Sequence, residues 1–245
     1  KLTWNPRNTQ YDQQIRSDAD AALAICERAI ASNAQDHGAY YHCGQTHLIM
    51  SYLSAMRGEY YQSGRHGNLA IKQLEKTLAL DPTLIEAKMH LGVAYYYADN
   101  LPPFLKILSW FLWIIPRGNA DKSFLYLEQV VVDDGAFSDV AKYIYADLLA
   151  GYGTSQKKKA TDLLLELSKD YPGNKRFQLR YISLLLEQQL HQQTIFAGKK
   201  FLHHSDDDAA KDLVHLWITR AHLALEEIEQ TRAAVAEALP LLREF

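Results

Sequence analysis

The chain has 245 residues, 48% of them apolar and 22% charged, and a formal net charge of −3 at pH 7. That balance excludes wholesale disorder, and a slight acidic excess supplies no field that would draw in nucleic acid. Twelve Gly and seven Pro, with little strand-type alternation, favour an all-helical class, and no apolar run reaches the roughly 20 residues that a membrane-spanning helix needs.

Residues 1–16 (KLTWNPRNTQYDQQIR) are polar and weakly periodic and read as an N-terminal strap. The chain begins at Lys1 rather than Met, which a removed signal peptide or a trimmed start would both explain. A lone helix is expected over 17–33, capped by Ser17 or Asp18, with Ala22, Leu23, Cys26, Ala29 and Ile30 on one face. A long hairpin follows over 38–80, with helices at 38–61 and 68–80 and a turn at Ser63-Gly64-Arg65-His66-Gly67. The clearest stretch is 70–95, AIKQLEKTLALDPTLIEAKMHLGVAY. Ile71, Leu74 and Leu78, then Ile85, Met89, Val93 and Tyr96, recur at helical spacing. Pro82 stops the first helix, Thr83 with Glu86 reads as a capping box for the second, and Gly92 leaves room for a neighbouring helix. A hairpin over 83–133 encloses an apolar insertion at 101–118. From 138 the rhythm is regular, with hairpins at 138–170, 174–203 and 208–243. Lys157-Lys158-Lys159 reads as a solvated loop, Asn174 opens a helix, and Ser205 with Asp208 reads as a second capping box.

Small residues that open each second helix allow the repeats to be counted. Ala22, Ala70, Ser123, Ala160, Thr194 and Thr231 are spaced by 48, 53, 37, 34 and 37 residues. The order Ala70, Leu74, Thr77, Pro82 recurs as Ala160, Leu164, Leu167, Pro172. With Leu91-Gly92 and Tyr95, this pattern resembles the tetratricopeptide repeat, whose period is about 34 residues. The resemblance implies an all-α, right-handed superhelix of antiparallel helix hairpins that binds peptides or proteins on its concave face. The first spacing exceeds the period by close to four helical turns, which two antiparallel helices share without rotating either face, so one elongated hairpin is expected. The second excess is the apolar insertion. Its Leu101-Pro102-Pro103-Phe104-Leu105-Lys106-Ile107-Leu108 segment resembles that of eukaryotic tetratricopeptide proteins linked to mitochondrial inclusion-body clearance and of bacterial secreted relatives. The Gly-Leu pair that follows the insertion there is replaced by Ser123-Phe124. This likeness favours a bacterial envelope or periplasmic setting over the cytoplasm.

No nucleophile elbow, phosphate-cradling glycine loop or two-histidine zinc helix is present, so the chain reads as non-catalytic and without a cofactor. Cys26 and Cys43 fall on packing positions of adjacent helices. That favours two buried thiols over a bridge, which demands a narrow Cα separation. Cys43 and His47, four residues apart beside His37 and His42, have the spacing of a helical zinc pair, but Cys43 lies on the core face and a structural role is preferred. His203-His204 stands beside Asp206-Asp207-Asp208, whose acids helix capping explains.

Helical phase extrapolated from Gly44, Gly92, Ala146 and Ile182 turns Tyr41, Gln45, Met89, Val93, Tyr96, Tyr97, Tyr143, Asp147, Leu179 and Ser183 toward a groove. This lining is aromatic and lacks the Lys, Arg and Asn of a peptide-carboxylate clamp. Tyr41, Met89, Tyr96, Tyr97 and Tyr143, joined by Trp110 and Trp113 of the insertion, are the candidate partner-binding residues. The expected function is a non-catalytic scaffold or adaptor for a protein or peptide partner, with no nucleic-acid partner. The alternative is a peripheral membrane, lipid or hydrophobic-ligand binder that uses 104–115, where Phe104, Ile107, Leu108, Phe111, Leu112 and Ile115 form one stripe and the two tryptophans suit a membrane surface. An enzyme of unknown type is the third reading.

Overall fold

The computed structural model describes residues 8–99, 118–151, 153–205 and 207–238, and these hold eleven α-helices and no strand. In chain order they are α1 (Asp12–Ser32), α2 (His37–Met56), α3 (Tyr60–Leu80), α4 (Ile85–Asp99), α5 (Ala120–Asp133), α6 (Ser138–Ala150), α7 (Thr154–Asp170), α8 (Lys175–Glu187), α9 (His191–His204), α10 (Asp208–Ala224) and α11 (Ile228–Ala238). The chain divides into two compact units, Lys1–Ala141 and Lys142–Phe245. In the first, α1 packs on α2, α2 on α3, α3 on α4 and α4 on α5. In the second, α7 packs on α8, α8 on α9, α9 on α10 and α10 on α11. The stripe 104–115, with Trp110 and Trp113, lies outside the described residues.

The elongated hairpin shows how sequence sets these elements. α2 and α3 contain 20 and 21 residues. Contacts of Ser51 with Ser63, His47 with His66 and Gly44 with Leu74 pair rising with falling residue numbers, so the two helices run antiparallel. Their turn is not at residues 63–67, as the two glycines there suggest, but at Arg57-Gly58-Glu59. Gly58 takes φ +72°, the left-handed conformation that glycine adopts without a Cβ clash. Around it Gly58 N–H donates to Ala55 O at 3.1 Å and Glu59 N–H to Ser54 O at 2.9 Å, the paired bonds that close a helix C-terminus. Gly64 and Gly67 stay helical because tertiary contacts outweigh their poor propensity. Ser51 Oγ donates to Ser63 O at 2.8 Å, and His47 meets His66.

Other boundaries also differ from the sequence reading. α1 begins at Asp12, before Ser17 and Asp18, because the Arg57 guanidinium grips Asp12 at 2.5 and 2.8 Å and Asn8 O at 2.7 Å. Thr83 does not cap α4; its N–H and hydroxyl both donate to Asp81 Oδ1, at 2.9 and 2.6 Å. The lysines 157–159 lie inside α7 rather than in a loop, where Lys159 Nζ stands 4.9 Å from the centroid of the Tyr145 ring. Asp207 rather than Ser205 caps α10, accepting from Ala210 N–H at 3.1 Å, while Ser205 Oγ receives the Asp207 N–H.

Cys26 and Cys43 are not free thiols. They form a disulfide with Cα atoms 5.7 Å apart, inside the span a bridge requires. Ala19 on α1 and Ala39 on α2 are also buried. α2 opens at Asp36, whose carboxylate accepts from Ala39 N–H at 2.9 Å. Asp36→Ala should cost about 1 kcal/mol in urea unfolding and Asp36→Asn much less, since either Asp or Asn oxygen fills the cap. Equal losses would show that the side chain does not act through this bond.

The cores are small and contiguous. Ile71, Leu74, Ala87, Leu91, Ala94, Tyr95 and Ala98 cluster in the first unit. Ile182, Ile195, Phe201, Val214, Ile218 and Ala221 anchor the second. Glycine sets the helix spacing at two corresponding points. A Cβ on Gly92 would lie 3.0 Å from Leu127 Cγ and 3.3 Å from Ser123 O, and Ser123 Oγ donates to Gly92 O at 2.7 Å. Gly44 meets Leu74 still more closely.

Candidate functional site

Side chains of α2 and α4 form a continuous polar-aromatic strip. Glu86 O accepts from His90 Nδ1 at 2.6 Å, because a carbonyl can only accept. That leaves His90 Nε2 bare to take the Gln45 Nε2 proton at 3.3 Å. Gln45 Nε2 also donates to Tyr41 OH at 2.8 Å. The Tyr41 ring meets His90 edge-on at 5.7 Å, and His90 meets Phe137 at 6.2 Å. Burial holds the His90 pKa below its usual value, although the Glu86 carbonyl and charge act the other way. Burial, and then the Glu86 charge, pushes Tyr41 up to about 12. The strip is therefore uncharged at neutral pH.

Beside it lies a cavity of about 700 Å³. Ala22, Ile25 and Ala29 of α1 line it with Ala39, Gln45, Thr46 and Ile49 of α2 and His90 of α4. Ile25 and Ile49 are 62% and 55% exposed. The two isoleucines thus leave apolar surface in water along a concave space lined largely by apolar residues. Among the described residues no Lys or Arg lines it, and the carboxylate among them, Asp36, is occupied as the α2 cap.

The sequence-predicted residues divide. Tyr41 stands on the strip, half-buried. Met89 is 8% exposed and packs in the core, and His90 on the same turn faces the groove in its place. Tyr96 is half-buried with its ring 5.6 Å from that of Tyr97, which is 65% exposed. In the second unit Tyr143 packs on Phe177 at 5.3 Å, and Phe177 on Tyr171 at 5.8 Å. There Asp147 and Ser183 join a charged network instead of an aromatic lining. Arg180 binds Asp147 at 2.6 Å and Glu187 at 2.9 Å, and Ser183 Oγ donates to Glu187. His90 and Phe137 were not apparent in the sequence. The available signal was polarity, because of two adjacent residues near a groove, Met turns inward and His outward.

The histidine cluster is dispersed. His42 lines the cavity, His47 turns toward His66 on α3, and Cys43 is bridged. Among the described residues no three His, Cys, Asp or Glu side chains are placed to hold a metal ion, and no helix is long and apolar enough to cross a membrane. His204 Nδ1 bonds to Lys200 O at 2.8 Å.

Helix hairpins stacked on their chain neighbours, with Gly-to-Leu contacts setting the spacing, constitute the tetratricopeptide-like helical-repeat fold. Two solved structures share this fold. The chain is similar to MamA of AMB-1, with a TM-score of 0.54 and 17% identity over 82% of this chain and 92% of that one. A second MamA crystal structure gives a TM-score of 0.55 and 16% identity, covering 82% and 93%. Yeast Tom70 aligns with a TM-score of 0.38 and 15% identity over 90% of this chain and 62% of that one. At these identities the likeness to MamA concerns the fold alone. The sequence matches no protein-family model and no curated protein sequence.

Proposed function

We propose that this protein is a non-catalytic interaction scaffold that takes a segment of a protein partner along the inner face of α2 and α4. The observation that carries this reading is the cavity of about 700 Å³ with exposed Ile25 and Ile49 at its mouth, continuous with the Tyr41–Gln45–His90 strip. An apolar partner side chain would fill the space between α1 and α2. Tyr41, His90 and Phe137 would flank the partner backbone, and Gln45 supplies an amide for its polar groups. The lining, rich in Ala and Ile and without Lys or Arg among the described residues, favours an uncharged, apolar segment over a phosphorylated or C-terminal carboxylate motif. Tyr97 extends the exposed aromatic surface on α4.

The test is selection of peptides from a displayed library on the purified protein, followed by affinity measurement. Ile49→Glu and Ile25→Glu alter exposed side chains and should leave stability within about 0.5 kcal/mol. Each should weaken a selected peptide at least about tenfold, as expected when a buried contact is replaced by a desolvated charge. Peptides that bind wild type and both variants equally would place binding elsewhere and refute the reading.

A further inference from the structure

We propose that the Cys26–Cys43 bond is a redox latch: it holds the wall of α1 that closes the cavity, and reducing it releases that wall and abolishes binding. The inference rests on the cavity being the partner site.

α1 has 21 residues, yet only Ala19 and Cys26 among them are buried. Beyond Ala19, Cys26 is the one buried residue of α1, and Leu23, Ala29 and Ile30 are only half-buried, so this half of the helix has less apolar area to hold it than a core helix. The ion pairs that tie α1 to the α2–α3 hairpin, Asp12 with Arg57 and Arg16 with Glu59, both belong to its first two turns. The wall residues Ala22, Ile25 and Ala29 stand farther along, on the stripe that contains Cys26. The covalent bond is thus what fixes the half of α1 that matters for the cavity. Both cysteines are buried, but Cys26, 4% exposed, lines the cavity, and Cys43, 0% exposed, is not among the described lining residues.

That asymmetry directs the chemistry. A thiolate of a dithiol reductant enters through the cavity and attacks Cys26 Sγ. The S–S bond breaks and Cys43 leaves as a thiolate, which takes a proton from water. The second thiol of the reductant then attacks the mixed disulfide, freeing Cys26 and closing the reductant into its own disulfide. Two electrons pass from the reductant to the protein. A partner seated in the cavity would cover Cys26 and protect the bond.

The experiment compares the oxidised protein with the same protein held in dithiothreitol, following hydrogen exchange at residues 20–32 and affinity for a cavity-selected peptide. On reduction, exchange over 20–32 should rise at least tenfold while residues 85–98 stay protected. Affinity should fall at least tenfold and return on reoxidation. The double variant Cys26→Ser with Cys43→Ser should behave as the reduced form without dithiothreitol. Unchanged protection over 20–32 would overturn the latch, as would equal affinity in the two states. If no peptide binds the oxidised form at the cavity, the scaffold reading fails by itself, and the exchange measurement still decides whether the bond holds α1.

Discussion

Gly44→Val should lower the unfolding free energy of the first unit by about 3 kcal/mol, the upper range for overpacking a core contact. A Cβ at this position would stand 2.7 Å from Leu74 Cγ and 2.9 Å from Cδ2, with the Leu74 backbone nitrogen at 3.4 Å. Leu74 is fully buried and surrounded by Ile71, Ala87 and Leu91, so its side chain has nowhere to swing. The backbone nitrogen is at ordinary contact distance, so the clash falls on the Leu74 side chain, which must shift within the core or push the helices apart. Leu74→Ala alone should also cost about 3 kcal/mol by opening a cavity. The two together should cost well under their sum, because the truncated side chain vacates the space that the valine needs, giving a coupling of about 1–2 kcal/mol. A denaturant series on wild type, both single variants and the double variant reads this directly. Strict additivity would mean that the Gly44–Leu74 contact does not set the spacing of the hairpin.

Acidification should weaken the same hairpin. His47 is 6% exposed, and its Nδ1 lies 3.1 Å from Nδ1 of His66, with the rings 5.2 Å apart. One of those nitrogens must be bare to accept the other's proton, so charging both rings breaks the contact. Burial first, then His66 and Arg65, holds His47 down at about 4 against an ordinary 6.5. His66 is lowered by burial and by Arg65 and Arg16, with Asp20 opposing. The unfolded chain therefore binds protons that the folded one refuses. The stabilisation is complete above the ordinary histidine value and is lost as pH falls from there toward the folded value. One pKa unit corresponds to about 1.4 kcal/mol, so His47 alone should account for a loss of about 2.5 kcal/mol between pH 7 and pH 4.5. Urea midpoints measured across that range should fall in wild type and flatten markedly in His47→Gln. A parallel slope in the variant would assign the acid sensitivity to carboxylates instead.

How much of this could be read in the residues varied with the kind of signal. The hairpin pattern and the repeat resemblance rested on Ala70, Leu74, Thr77 and Pro82 and their recurrence, and the all-helical fold follows that pattern. The turns were harder. Gly58 marks its turn by chemistry, but Gly64 and Gly67 mimic a turn that tertiary packing overrides. The left-handed closures at Gln189 and Glu226, with φ of 60° and 58°, carry no glycine to announce them. The disulfide is not legible because one-dimensional spacing places two cysteines on packing faces without giving the helix separation, which brings their Cα atoms to 5.7 Å. The candidate site was partly legible. Tyr41 and Gln45 follow from helical phase, but phase alone cannot separate Met89 from its neighbour His90. The cavity depends on α1 lying against α2, which no repeat signature specifies.

The sequential packing of each unit bears on how the chain comes to be folded. In the first, α1 meets α2, α2 meets α3 and α3 meets α4 across a few residues each, while the α4–α5 contact spans the longer segment 100–119. Loop-closure entropy stays small, and mean contact order is low, the regime in which barriers to folding are lowest. During synthesis no helix of the first unit waits for a distant strand of sequence before it can bury its apolar face. The two cysteines are 17 residues apart, so both are available before α3 has been made. In an oxidising environment the covalent tie can then form on a nascent two-helix fragment, and the rest of the hairpin condenses on an end that is already pinned.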